Sequence, residues 1–110
     1  MAPYAITNSL LAERINTLCN VLAESARSAG IQSAKFTVMP GRKWARIVRE
    51  DGPRNCSAHA FVNLTNGDLH KTASWAQPAP GARYNLLRED SFATLLRVAD
   101  HNTGYLYRVR

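Results

Sequence analysis

The stretch "SAHAFVNLTNGDLHKTASW", residues 57–75, decides the fold, because it places two strand-like runs on either side of Asn66-Gly67. This dipeptide favours a two-residue type I′ turn, since both central positions of that turn need positive φ angles. The predicted hairpin pairs Leu64 with Leu69 and sets mostly apolar side chains on one face. The other face carries the polar side chains and one aromatic ring, namely His59, Phe61, Asn63, His70, Thr72 and Ser74. A slip of one residue would exchange the two faces.

Helix and strand patterns continue on both sides of this hairpin. In chain order they predict a helix at residues 9–29, strands at 35–39 and 44–49, the hairpin, a proline-containing loop at 76–85, a helix at 90–101 and a last strand at 105–109. Apolar residues at helical spacing mark the helices, and Pro40-Gly41 marks a turn between the first two strands. We expect a single domain, residues 1–110, with an α+β fold: a mainly antiparallel sheet of about five strands and two helices packed on one face.

The composition is that of a globular protein. The chain has 110 residues, of which 45% are hydrophobic and 20% charged, and no run approaches the ~20 apolar residues that span a bilayer. The N-terminus lacks a signal-peptide pattern, so we expect no membrane association and an intracellular location. Cys19 and Cys56 are too few and too far apart for a disulfide framework or a zinc site. We predict two free thiols, no cofactor and no metal.

The net charge of +6 is concentrated in the middle of the chain. Residues 31–88 carry nine basic and three acidic residues, whereas the segments before and after are balanced. A basic surface of this kind attracts nucleic acid, other phosphates or an acidic protein. Many small soluble proteins are equally basic without binding an anion, so the charge alone only indicates solubility.

Cationic and aromatic side chains alternate in this region as they do in proteins that bind single-stranded nucleic acid, where cations follow the phosphates and rings stack on bases. The candidate nucleic-acid-binding residues are Arg42, Lys43, Trp44, Arg46, Arg49, His59, Phe61, His70 and Arg83. The predicted function is non-enzymatic binding of nucleic acid, preferably single-stranded, through a basic sheet surface. The alternative is a modulator that binds an acidic face of a host bacterial protein.

Catalysis has weaker support. His59 and His70 could serve as acid and base in a metal-independent ribonuclease, with Lys71 as the cation. In the predicted hairpin, however, the histidines do not face each other and Lys71 points to the other side. The acids Glu50, Asp51 and Asp68 all lie in predicted turns, so no carboxylate cluster for Mg²⁺ is expected. We therefore predict no catalytic residues, with the ribonuclease as a minor alternative.

The middle of the chain resembles a family of small proteins encoded by tailed bacteriophages. The resemblance rests on a His-x-Phe-Val strand, a Gly-Asp turn, a Lys-x-Ala-Ser-Trp run, a Pro-Ala loop and an Arg-x-Asn pair. These positions are His59, Phe61, Val62, Gly67, Asp68, Lys71, Ala73, Ser74, Trp75, Pro78, Arg83, Asn85 and Leu86. The resemblance implies a phage origin and the cytoplasm of an infected bacterium, but the family has no established activity or catalytic residues to carry over. Gln77 stands where the family pattern has a lysine.

An edge strand at residues 105–109 would allow pairing with a second copy. The proline-containing loop is predicted to cover the sheet, with Trp75 and Tyr84 as its anchors.

Overall fold

The computed structural model describes residues 6–107. The elements are α1 (Ser9–Ser28), β1 (Lys35–Pro40), β2 (Trp44–Glu50), β3 (Cys56–Asn63), β4 (Asp68–His70), β5 (Tyr84–Asn85), α2 (Glu89–Val98) and a 3-10 helix (Thr103–Leu106). The five strands form one antiparallel sheet in the order β1-β2-β3-β4-β5. The predicted α+β fold class is confirmed.

Helix α1 forms because its apolar residues repeat at helical spacing and both ends are capped. The Asn8 side chain accepts a hydrogen bond from the Leu11 amide at 3.0 Å. At the other end Gly30 has a φ of 85°, and the Ile31 amide donates to the Ala26 carbonyl, which satisfies backbone groups that the helix leaves free. The buried stripe consists of Leu11, Ile15, Leu18, Cys19, Leu22 and Ala26. The observed helix agrees with the prediction to within one residue.

One face of the sheet packs against the helices, and this helix face of the sheet forms the core. Ala45, Ile47, Ala60, Val62 and Leu69 point into this core from β2, β3 and β4. They meet α1, Leu95 of α2 and two residues of the 3-10 helix. The opposite side of the sheet is called the outer face below. Because side chains alternate along a strand, the residues between these core positions project onto the outer face.

The turn before β4 differs from the predicted type I′ hairpin. Among the described residues only glycines have positive φ, so Asn66 does not adopt the required conformation, whereas Gly67 does, with a φ of 84°. The connection contains four residues, and the Gly67 amide donates to the Asn63 carbonyl at 2.8 Å. Leu69 therefore pairs with Val62 rather than with Leu64. The shift of two residues keeps Phe61, Val62, Leu69 and His70 on their predicted faces. The predicted strand residues after His70 belong to a loop instead of the sheet, and β3 contains one exception.

That exception is a β-bulge at His59. Ile47 pairs with Ala60, but the next residue of β2, Val48, pairs with Ala58, so His59 is the extra residue. A bulge inserts one residue into the alternation and turns its side chain to the other face. His59 consequently lies on the helix face and not beside Phe61 as predicted.

The last part of the chain also departs from the prediction. Residues 105 and 106 belong to the 3-10 helix, so the prediction of a strand there is wrong. The rest of the predicted strand includes Arg108 and Val109, which lie outside the described residues. The fifth strand is instead the short β5, which pairs with β4. No helix in the described range is both long and apolar enough to cross a bilayer.

Candidate nucleic-acid interface

The outer face carries a cluster of aromatic and cationic side chains from three adjacent strands. Trp44 and Arg46 come from β2, Phe61 from β3 and His70 from β4. Arg46 pairs with Phe61, which in turn pairs with His70, so the three side chains form a row across the sheet. The Trp44 ring stands nearly perpendicular to the Phe61 ring at 6.4 Å and to the His70 ring at 4.9 Å between centroids.

Arg46 is held between two aromatic rings. Its guanidinium carbon lies 5.7 Å from the Phe61 centroid and 4.5 Å from the Trp75 centroid. A planar guanidinium is attracted to the electron-rich face of an aromatic ring, and most strongly to that of tryptophan. Its Nε is buried and has no hydrogen-bond partner, and Arg46 has no carboxylate partner within the described residues. No carboxylate of residues 6–107 therefore neutralises the positive charge of Arg46.

Trp75 reaches Arg46 from the segment between β4 and β5. Residues 71–79, called the tryptophan loop, fold back on themselves: Thr72 bridges to Pro78, and the Ala73 amide donates to the Gln77 carbonyl at 2.9 Å. The base of the loop is fixed to the sheet, since His70 donates from Nδ1 to the Ala79 carbonyl at 2.9 Å. Trp75 lies at the tip and is 44% exposed.

A shallow groove of about 290 Å³ runs between the β1–β2 turn and the tryptophan loop. It is lined by Met39, Pro40, Gly41, Arg42, Lys43, Trp44, Arg46, Phe61 and Ala76. The lining contains three cations and no carboxylate. Arg42 and Lys43 are exposed on the turn, and the Lys43 ammonium lies 5.9 Å from the Trp44 centroid. The groove thus combines positive charge, aromatic surface and open access.

The structure brings most of the predicted site residues together, although Phe61 is not accessible. Arg42, Lys43, Trp44, Arg46, Phe61 and His70 all lie on the outer face or on the turn beside it. Phe61 is only 3% exposed, because Trp44, Arg46 and the adjacent loop cover it. Phe61 supports the groove from below, and Trp44 is half-buried beside it.

Three predicted residues lie elsewhere. Arg49 projects to the helix face, where it pairs with Asp51 at 3.0 Å and donates to the His101 carbonyl at 3.2 Å. Arg83 lines a separate polar pocket of about 150 Å³ that also contains Asp68. His59 is 2% exposed and belongs to the core. The alternation along β2 itself places Arg49 on the helix face, whereas the bulge at His59 and the path of the loop that carries Arg83 have no local signal in the sequence.

His59 is a buried structural histidine. Its Nε2 shares a hydrogen bond of 2.7 Å with the Tyr105 hydroxyl, and its ring packs on Phe36 and Tyr105. Burial, followed by the nearby Arg49, lowers the pKa of His59 to about 4. Burial also raises the pKa of Tyr105. His59 and His70 lie on opposite faces of the sheet, so the structure does not bring them together as the acid and base of a ribonuclease.

A second group of polar side chains, Ser25, Asp100 and His101, has the residue types of a hydrolase triad but not its geometry. The Ser25 Oγ donates to Asp100 Oδ1 at 2.6 Å and lies 2.9 Å from His101 Nδ1, and the same Nδ1 lies 2.8 Å from Asp100. A nucleophilic relay needs the serine and the acid on different ring nitrogens. The hydrogen bond from Ser25 is the main cause of the lowered pKa of Asp100. This group joins the end of α1 to the segment after α2.

The groove-lining residues that sequence reasoning missed are Met39, Pro40, Gly41 and Ala76, and it also missed Trp75, which contacts Arg46 beside the groove. The position of Met39 beside the groove could have been predicted, because Met39 ends a strand next to the Pro40-Gly41 turn. Trp75 was predicted to anchor the loop, but it lies at the loop tip. Ser74 and Pro78 indicate a loop at this point, but no local signal shows that Trp75 is exposed. Within residues 6–107 no three His, Cys, Asp or Glu side chains are grouped so that they could hold a metal ion.

Comparison with known families identifies the chain at the level of a family. Residues 5–108 match a model described as a family of unknown function, DUF7717. The chain belongs to the DUF7717 family. The match covers both helices, the whole sheet and the tryptophan loop, so the groove lies inside the DUF7717 domain. No curated protein and no solved structure gives a significant match.

Proposed function

We propose that this DUF7717 protein binds nucleic acid through the groove on the outer face of its sheet. The observation that carries the proposal is the composition of the groove lining: Arg42, Lys43 and Arg46 lie beside the half-buried Trp44, and the lining contains no carboxylate. Cations of this kind neutralise phosphates and release counterions, which supplies most of the affinity for nucleic acid. The proposal includes no catalysis and no cofactor.

Fluorescence anisotropy with a labelled oligonucleotide of about 12 nucleotides tests this proposal directly. For about three neutralised phosphates, each contributing ~0.7 to the slope of log K against log salt, affinity should fall roughly 10- to 20-fold between about 50 and about 200 mM salt. Absence of binding at the lower salt concentration would refute the proposal.

A pair of double variants separates the groove from the overall charge. Arg42→Glu with Lys43→Glu reverses two exposed cations beside the groove, and we expect it to abolish measurable binding. The matched control is Arg54→Glu with Arg97→Glu, which changes the net charge equally at two exposed positions elsewhere. The control should retain most of the affinity. Equal losses in both variants would show that only net charge matters.

An acidic surface of another protein is the second candidate ligand. It is favoured by Met39 and Trp75, which are 49% and 44% exposed on either side of Arg46. Tryptophan, methionine and arginine are enriched in protein interfaces. Competition with polyglutamate distinguishes the candidates: displacement of the oligonucleotide by polyglutamate at similar charge concentration would favour a protein partner.

The resemblance to phage proteins suggests the cell in which this binding would take place. In the cytoplasm of an infected bacterium, a small basic protein of this kind would meet phage DNA, messenger RNA and host polymerases. Cell fractionation after infection, with and without nuclease treatment, tests this setting. The protein should leave the nucleoid or polysome fraction when the nucleic acid is digested.

A further inference from the structure

We infer that the groove takes a single strand, with one base stacked on the exposed face of Trp75 and the adjoining phosphates on Arg42 and Lys43. This inference rests on the proposed nucleic-acid function and specifies the form of the ligand. A base pair in a duplex hides both faces of each base in the helical stack, whereas the bases of a single strand are free to stack on a protein ring.

The burial and contacts of the aromatic rings indicate that Trp75 is the ring on which a base would stack. Phe61 is buried beneath Arg46, and Trp44 is in perpendicular contact with two other rings. Trp75 carries the Arg46 guanidinium on one face, and no other aromatic ring or cation of the described chain contacts its ring. Arg46 lies over one face of the indole and Trp75 is 44% exposed, so we place the base on the other face.

The tryptophan loop holds Trp75 in this position before any ligand binds. The bridge from Thr72 to Pro78, the hydrogen bond from the Ala73 amide and the attachment of His70 to Ala79 fix the loop at its stem. Pro78 also restricts the backbone at this point. A preformed site avoids much of the entropy cost of ordering a loop when a ligand binds.

The decisive experiment compares three ligands with the wild-type protein at one low salt concentration. They are an oligothymidylate, an oligomer of the same length in which abasic residues replace the nucleotides, and a duplex of that length. We expect the oligothymidylate to bind roughly 5- to 150-fold more tightly than the abasic oligomer, the range that one stacked base contributes. The duplex should bind no better than the abasic oligomer.

Variants of Trp75 test whether this ring causes the difference in affinity between the oligothymidylate and the abasic oligomer. Trp75→Leu should reduce binding of oligothymidylate to the level of the abasic oligomer and leave the abasic oligomer unaffected. Trp75→Phe keeps a ring and should restore part of the preference. A retained thermal unfolding midpoint shows that each variant is folded. The comparison of the three ligands uses the wild-type protein and does not depend on any variant.

The outcomes separate this inference from the function on which it rests. If none of the three ligands binds, the proposed function is refuted. If all three bind equally with strong salt dependence, the proposed function stands and the single-strand inference is overturned. A preference for the duplex also overturns the inference, as does a preference for oligothymidylate that Trp75→Leu retains.

Discussion

Arg46 shows how one side chain can connect a rigid sheet to a loop. Its backbone belongs to β2, its guanidinium contacts Phe61 of β3, and its other side supports Trp75 at the loop tip. Because the contact with Trp75 depends on a flat guanidinium, lysine is not an equivalent substitute at this position.

Arg46→Lys should retain the charge and lose the stack. We expect the unfolding free energy to fall by about 0.5–1 kcal/mol, the usual size of a cation–π contact at a partly exposed site. The Ala73 and Ser74 amides, which both donate to the Gln77 carbonyl, should exchange with solvent faster. Urea denaturation and hydrogen exchange measure both effects. Unchanged exchange in the loop would contradict the role assigned to Arg46.

His59 should make the protein sensitive to acid. Its pKa is about 4 in the folded state and 6.5 in the reference state, so the unfolded chain binds more protons between these values. The stability contributed by neutral His59 is complete above about pH 6.5 and decreases as the pH falls towards 4. The free energy of unfolding should fall by about 3 kcal/mol in total, at ~1.4 kcal/mol for each unit of pKa difference.

Urea denaturation at about pH 7 and about pH 4.5 tests this dependence. His59→Gln removes the titrating group, keeps a side chain able to bond to Tyr105, and should flatten the pH profile in this window. An unaltered profile in His59→Gln would show that other groups cause the acid sensitivity.

Among the elements, the connection from β3 to β4 depends on Gly67. Its φ of 84° lies in the left-handed region, and a Cβ built there would lie 2.8 Å from the Leu87 Cγ. Gly30 has nearly the same φ of 85°, but a Cβ there meets no atom within 4 Å. The two glycines thus differ in packing and not in backbone conformation.

Gly67→Ala should therefore destabilise the protein more than Gly30→Ala. The left-handed conformation alone costs about 1–2 kcal/mol for a residue with a Cβ, and we expect this loss in both variants. Gly67→Ala should lose about 1 kcal/mol more, because Leu87 must move to relieve the overlap. Thermal unfolding of both variants gives the difference directly. Equal losses would mean that Leu87 moves without a measurable cost.

The elements also show which parts of the fold were predictable from sequence. Helix α1 and strands β1 and β2 follow from local periodicity, because their apolar positions and caps lie within the segment itself. The bulge at His59 has no local signal, since Ala58, His59 and Ala60 continue the alternating pattern without interruption. Strand β5 has two residues, and it exists only through its pairing with β4. Tyr105 favours a strand by propensity, yet its hydroxyl bonds to His59 from a 3-10 helix.

The candidate site was predictable in its residue types and only partly in its geometry. Arg42, Lys43, Trp44 and Arg46 are consecutive or nearly so, and a hairpin places them on one side of the sheet without further information. Trp75 is distant in sequence and reaches them through a loop whose path depends on tertiary contacts. Arg49 belongs to the same strand as Arg46, but its odd offset of three residues turns it to the opposite face.

At the scale of the whole molecule, the cations of the groove differ from several cations on the helix side in their carboxylate partners. On the helix side, Arg14, Arg49 and Arg88 each have a carboxylate partner. The cations that line the groove have none within residues 6–107. Uncompensated like charges repel one another and lower the stability of the folded state.

Salt should therefore stabilise the free protein. We expect an increase of about 0.5–1 kcal/mol between low and moderate ionic strength, or roughly 2–8 °C in the unfolding midpoint. The increase should be smaller in Arg42→Glu with Lys43→Glu, because that variant removes the repulsion beside Arg46. Scanning calorimetry at two sodium chloride concentrations measures it. An equal increase in both proteins would place the repulsion elsewhere.

The two tryptophans of the chain, Trp44 and Trp75, both lie on the outer face, and the helices contain none. The protein consequently carries a natural optical reporter that is confined to one of its two sides. A molecule that occupies the groove should change the intensity or colour of the intrinsic emission, whereas one that docks on α1 should leave the emission unchanged. Any unlabelled compound can thus be assigned to a side of the molecule by a simple titration in a fluorimeter.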